Sequence, residues 1–185
     1  MNPCPPEGSS KLKKIQALRA ILAREKKGGK KIVFTNGCFD VLHTGHVRYL
    51  HRARKLGDIL IVGLNTDASV KKLKGAGRPV NSQNDRAEVL GSLAVVDYMV
   101  LFPEATPLNL IHATRPDFLV KGGDWKKKDI VGSAFVESYG GQVRPLPFIK
   151  GFSTTGVLEK MSSSRGGEAD ERSRSSKRDF SLRSK

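Results

Sequence analysis

Residues 33–50 read VFTNGCFDVLHTGHVRYL: an apolar run, a turn built on Asn36 and Gly37, and then His43 and His46 on either side of Gly45. The run has the short, β-branched and aromatic character of a strand, and the segment from Gly45 onward has the spacing of a helix. The stretch is therefore a strand-to-helix junction, and the fold follows from whether the rest of the chain repeats it.

It does. KIVFTN (31–36), DILIVGLN (58–65), DYMVLF (97–102), DFLVKG (117–122) and QVRPLP (142–147) are short aliphatic runs. Between and after them, helices are predicted over 45–57, 82–93, 106–115, 129–140 and 153–161. Strands that alternate with amphipathic segments give a parallel sheet with helical crossovers. The expected fold is α/β, a single Rossmann-like domain with a doubly wound five-stranded parallel sheet and helices on both faces. In such sheets ligands collect beyond the carboxyl ends of the strands, and Asn36 to His46 lie at one of those ends.

At a helix start, unpaired backbone N–H groups and the helix dipole favour an anion, and Gly45 lets a phosphate or base approach the backbone. Two imidazoles in the first turn can donate hydrogen bonds to a phosphoryl group whether charged or neutral. The same two residues could equally cap and pack the helix. Metal ligation is a third option, but no third ligand stands at a recognised spacing.

The chain has 185 residues, and a domain of roughly 150 residues buries about two-thirds of its unfolded surface. The net charge of +15 is uneven: residues 1–31 carry +7 and residues 162–185 carry +3, which leaves +5 for the middle. Residues 1–9 are expected to be flexible. Residues 10–29 read as a helix packed on the domain, with Leu12, Ile15, Leu18, Ile21 and Leu22 on one face and Gly28-Gly29 as a stop. Residues 162–185, rich in Ser, Arg and Gly, have too little apolar surface to offset their ordering entropy and are expected to be a disordered basic tail. The domain itself is placed at 30–161.

Cys4 and Cys38 form no CxxC pair, so neither a disulfide framework nor a structural zinc site is indicated. No apolar run approaches the ~18 residues of a membrane span, and the first residues lack the apolar core of a secretory signal. A cytoplasmic protein with no membrane association is the expectation.

HTGH following GCFD resembles the HxGH motif of the nucleotidyltransferase superfamily. GRPVNSQNDRAEVLGSLAVVDYMVLF, PDFLVKGGDW and FSTTGVLEKM then appear in the order expected of its cytidylyltransferase-like branch, and more narrowly are similar to the adenylyltransferase domain of ADP-heptose synthase. The likeness covers about residues 10–161.

The resemblance implies that His43 and His46 bind nucleotide phosphates and stabilise the transition state as a sugar phosphate attacks the α-phosphorus of ATP. It implies a catalytic lysine in the Gly-rich stretch 69–80, read as a mobile loop. Lys74 is favoured there, with Lys71, Lys72 and Arg78 as the other cations. It puts Arg86 on nucleotide phosphates, and Ser153, Thr154 and Thr155 in a second phosphate cradle, where an ordinary N-cap is the alternative. Asn36, Gly37, Phe39, Asp40 and Gly45 complete the nucleotide side. Asp40 would face the site and help order Mg²⁺ or the histidines. Lys121, Gly122, Gly123 and Asp124 would meet substrate, ribose or base, and KGGD favours a heptose phosphate. No side-chain cluster is expected to hold a metal; Mg²⁺ would ride on the ATP phosphates.

The implied partners are ATP and a sugar 1-phosphate, with a separate heptose kinase in the pathway, and a homodimer is among the states the family adopts. Alternatives are a cytidylyltransferase, or an adenylyltransferase, for another small phosphate such as glycerol 3-phosphate. From a different class comes a basic nucleic-acid-binding protein, disfavoured because the positive excess lies at the ends without interleaved aromatics.

Overall fold

The computed structural model describes residues 10–147 and, beyond them, Thr154, Gly156 and Ser163. Five strands form one parallel sheet: β1 (Ile32–Gly37), β2 (Ile59–Asn65), β3 (Tyr98–Phe102), β4 (Phe118–Gly122) and β5 (Gln142–Leu146), in the order β3-β2-β1-β4-β5. The helices are α1 (Ile15–Lys27), α2 (Thr44–Arg54), α3 (Asp67–Lys74), α4 (Gln83–Gly91), α5 (Leu108–Thr114) and α6 (Ser133–Ser138).

Strand alternation divides the core in two. Ile32, Phe34, Ile59 and Ile61 point to one face and pack with Leu18 and Leu22 of α1, Ile111 of α5 and Val136 of α6. Val33, Leu60 and Val62 point to the other and pack with Leu50 and Ala53 of α2 and Leu90 of α4. Every residue of β2 is buried, as a strand covered on both faces requires.

The structure corrects three expectations. Leu12 is not on a helix: Lys11 to Lys13 run extended along β3, where the Met99 N–H donates to the Lys11 carbonyl and the Lys13 N–H to the Met99 carbonyl, both 2.9 Å. β3 is an edge strand, and its open backbone groups recruit the segment before α1 has begun. The stretch 69–80 is not all loop, because α3 ends only at Lys74. Thr66 caps it by accepting from the Ser69 N–H, Asp67 lies in its first turn and Lys71, Lys72 and Lys74 in its last, which suits the helix dipole. The helix expected over 129–140 starts at Ser133, since Gly132 takes φ 85° and a Cβ there would stand 2.8 Å from Ile111 Cδ1. The helix expected over 153–161 falls mainly outside the described residues, as do residues 1–9 and, apart from Ser163, the tail 162–185.

The sheet reverses its winding between β1 and β4. β1 pairs with β2 from Ile32↔Ile59 to Gly37↔Leu64, but with β4 only at Val33↔Phe118 and Phe34↔Leu119. Beyond those pairs the two strands part, and Tyr49 of α2 fills the split. Its hydroxyl lies 2.6 Å from Thr35 Oγ1 and is hydrogen-bonded to the backbone of Gly122, with burial pushing its pKa up to about 12. Among the described residues no helix is long and apolar enough to cross a membrane.

Candidate active site

β1 delivers Asn36 and Gly37 to the mouth of this split, and the next residue but one, Phe39, sits at φ 43°. A bulky residue in the left-handed region is uncommon, and here it turns a buried aromatic ring toward α2. The Phe39 ring tilts against His46 at 5.2 Å, and His46 in turn stacks on His43 at 3.9 Å with the planes 29° apart. His43 is the extended residue before α2, and its carbonyl accepts from the His46 and Val47 N–H groups. Both imidazoles thus stand at the start of α2, as the spacing predicted, with Gly45 between them.

Neither histidine caps the helix by a side-chain bond, and the Nδ1 atom of each is buried without a hydrogen-bond partner among the described residues. Burial lowers the pKa of His43. Burial, then the charge of His43, then that of Lys74 bring His46 down to about 4. The pair is neutral at physiological pH, able to donate and accept but carrying no fixed charge. Of the three lysines considered for the catalytic role, Lys74 is the one whose charge acts on His46; all three are exposed.

This arrangement makes stability depend on pH. Between pH 6.5, the ordinary histidine value, and about 4, the unfolded chain takes up a proton that folded His46 refuses. Stability is therefore unaffected above that window and falls as pH drops through it. Asp40 and Asp117, held below the usual 3.8, lose their contributions only at lower pH. The melting temperature of ligand-free protein should fall on acidification from neutral pH toward about 4.5, and His46→Gln should flatten the fall. A variant that tracks the parent through the window would remove His46 as its source.

Across the split, Lys121 of β4 reaches Asn36, Nζ to Oδ1 at 3.3 Å, and burial lowers its pKa. Asn36, Cys38 and Lys121 are half-buried, and the Cys38 sulfur lies 4.0 Å from Asn65 Oδ1. Among the described residues no carboxylate pairs with Lys121, so this cation faces the split with one long hydrogen bond. Gly123 has φ 117° and donates its N–H to the Leu146 carbonyl at 2.8 Å, while Asp124 is exposed.

Two residues expected to touch the nucleotide are committed to the protein itself. Asp40 is 2 % exposed; it accepts from Arg78 Nε and from the N–H groups of Val80 and Asn81. Burial pushes its carboxyl up, but these donors outweigh that and hold it below the ordinary value. With both oxygens occupied, it is a fastening for the loop after α3 rather than a ligand for Mg²⁺. Arg86 is 3 % exposed and donates to the carbonyls of Asn81, Cys38 and Asn65 and to the Asp67 carboxylate. It clamps the ends of β1 and β2 to the start of α4. Thr154 lies half-buried in helical backbone, and Ser153 and Thr155 lie outside the described residues. Sequence reasoning missed Tyr49 and Thr35; a tyrosine six residues after His43 on a helix carries no signal that it fills a strand split.

The family described as cytidylyltransferase-like matches residues 34–164. The bifunctional protein HldE of Campylobacter concisus is 59% identical over 151 residues, covering 82% of this chain and 31% of its own. That of Geobacter sulfurreducens is 52% identical over 162 residues, covering 88% and 33%. The chain thus spans about a third of the length of these curated relatives. The crystal structure of a lipopolysaccharide core biosynthesis protein from Thermoplasma volcanium superposes with a TM-score of 0.55 at 27% identity, covering 66% of this chain and 98% of that one.

Proposed function

The chain belongs to the cytidylyltransferase-like family, and from that premise we propose that it transfers AMP from ATP to D-glycero-β-D-manno-heptose 1-phosphate, giving ADP-heptose and pyrophosphate. The observation that carries nucleotidyl transfer is the neutral, stacked His43–His46 pair at the start of α2, beside the split between β1 and β4.

A phosphate oxygen of the acceptor attacks the α-phosphorus, the bond to the bridging oxygen breaks, and pyrophosphate leaves. The attacking group is already an anion, so no general base is needed, and catalysis consists of positioning and of charge stabilisation. Histidines whose pKa values lie below neutrality suit donors to the growing phosphoryl charge better than resident cations. Lys74 supplies positive charge beside them. Lys121, half-buried and with no carboxylate partner among the described residues, suits the acceptor phosphate or the ribose, and Asn36 would orient its ammonium.

Mg²⁺, bound to the triphosphate, would neutralise charge on its oxygens. The site suits a metal carried in this way, because its surroundings offer cations and N–H donors while Asp40 has no free oxygen. Gly45, Gly122 and Gly123 would allow close approach of nucleotide and sugar. The HldE relatives and the Lys121–Asp124 stretch support a heptose phosphate as acceptor, and we place the reaction in the cytoplasm.

Pyrophosphate release should be measured with Mg²⁺, crossing ATP and CTP against heptose 1-phosphate, glycerol 3-phosphate and phosphocholine. Release with ATP and heptose 1-phosphate alone is expected. Release with CTP or with another acceptor would overturn the substrate assignment and keep the chemistry; no release from folded protein with any pair would overturn both.

A further inference from the structure

Arg78 stands in the loop between α3 and α4, which leaves α3 through Gly75 at φ 90° and Gly77 at φ 84°. Four hydrogen bonds draw this loop onto the residue after Phe39. Arg78 Nε donates to Asp40 Oδ2 at 2.5 Å, the Val80 and Asn81 N–H groups donate to Oδ1 at 2.7 and 3.2 Å, and Asn81 Nδ2 donates to the Asp40 carbonyl at 2.8 Å. Phe39, adjacent in sequence, touches His46, and Lys74, four residues before Arg78, acts on the same imidazole through its charge. The loop is therefore fastened beside Phe39, which touches the histidine pair, and it carries Arg78 there while Lys74 stands at the end of α3.

The guanidinium is not fully spent there. The Arg78 side chain is 18% exposed, yet its Nη2 is buried and has no hydrogen-bond partner among the described residues. A residue kept only to fasten the loop would leave such a donor in water or pair it, since a buried N–H without an acceptor is destabilising. The loop is also held through Val80 and Asn81, so Asp40 does not depend on Arg78 to anchor it. None of the described residues gives Nη2 an acceptor, and the proposed reaction brings one in the anionic oxygens of the nucleotide.

We propose that Arg78 is an anion-binding residue of the nucleotide site, with Nη2 directed to a phosphate oxygen, and that Asp40 is its positioning residue, holding Nε so that the guanidinium plane is fixed before substrate arrives. The inference rests on the nucleotidyl-transfer reading above. A planar guanidinium held at one edge and donating from the other is an arrangement that lysine cannot reproduce.

The test is calorimetric titration of the parent protein, Arg78→Gln, Arg78→Lys and Asp40→Asn with MgATP and with inorganic tripolyphosphate, beside ligand-free melting temperatures and steady-state kinetics. Arg78→Gln is expected to weaken both probes by about tenfold and to raise KM for ATP by a similar factor with a smaller change in kcat. Asp40→Asn, which keeps the arginine charge, should also weaken both probes. Arg78→Lys keeps the charge but lacks the fork, and it carries the test if Arg78→Gln melts too low to titrate. Binding of both probes within twofold of the parent in the arginine variants would overturn the assignment while leaving nucleotidyl transfer in place. A parent protein that binds neither probe would overturn the nucleotide reading and this inference with it.

Discussion

Replacing His46 with alanine is expected to lower kcat by about 10² or more, the range seen when a donor to a transition-state charge is removed. The expectation follows from what the imidazole does in the free protein. It is stacked on His43 and tilted against Phe39, it is neutral, and its Nδ1 makes no hydrogen bond among the described residues, so the ring is held in place by packing while part of its hydrogen-bonding capacity is unspent. A donor positioned before the reaction pays no reorganisation as charge builds on phosphorus. The alternative, that His43 and His46 merely cap and pack α2, predicts the opposite division of effects. Leu50 and Ala53 already anchor α2 in the core, so a packing histidine would lower the melting temperature and spare turnover. Steady-state kinetics and thermal melting of His46→Ala together separate the two. Near-parent kcat in a less stable protein would assign the histidines to packing.

The same stretch shows how far the residues alone lead. Asn36 to His46 could be placed at a strand end because alternation of aliphatic runs and amphipathic segments is a property of local sequence, and all five strands lie where those runs stand. The start of α2 at Thr44 was equally legible from the glycine and the spacing of apolar positions that follow it. Polar commitments were not legible. The family resemblance puts Asp40 and Arg86 on the nucleotide side, and it does not report that in the folded chain both also bond groups distant in sequence. Val80 and Asn81 serve Asp40, and Cys38 and Asn65 serve Arg86. No periodicity reports such bonds. α3 was hidden for a related reason: its lysine run looks like a solvated loop, and the cap from Thr66 and the burial of Val70 become informative only when the helix has a core to face.

Arg86→Met is expected to cost about 3–5 kcal/mol of stability, the range for removing one partner from a buried charged network, and to lower the melting temperature by about 10 °C or more. Nε, Nη1 and Nη2 all donate to protein acceptors, Asp67 is 2.7 Å away, and the side chain is 1% exposed. Methionine fills much of the space but leaves the carbonyls of Cys38 and Asn65 without their donor, and unpaired buried acceptors are costly in their own right. Those carbonyls lie just after β1 and at the end of β2, so the loss would loosen the floor of the site as well as the fold. The family resemblance puts an arginine here on nucleotide phosphates, and the two roles leave different marks in Arg86→Lys. A phosphate ligand would keep its charge, leaving the ligand-free melting temperature within about 2 °C of the parent while KM for ATP rises. A clamp would lose its fork, because an ammonium cannot span three carbonyls and a carboxylate from one stem, and the ligand-free protein itself would be destabilised. The hydrogen bonds in place favour the clamp, and melting of Arg86→Lys in the absence of nucleotide is the measurement that decides it.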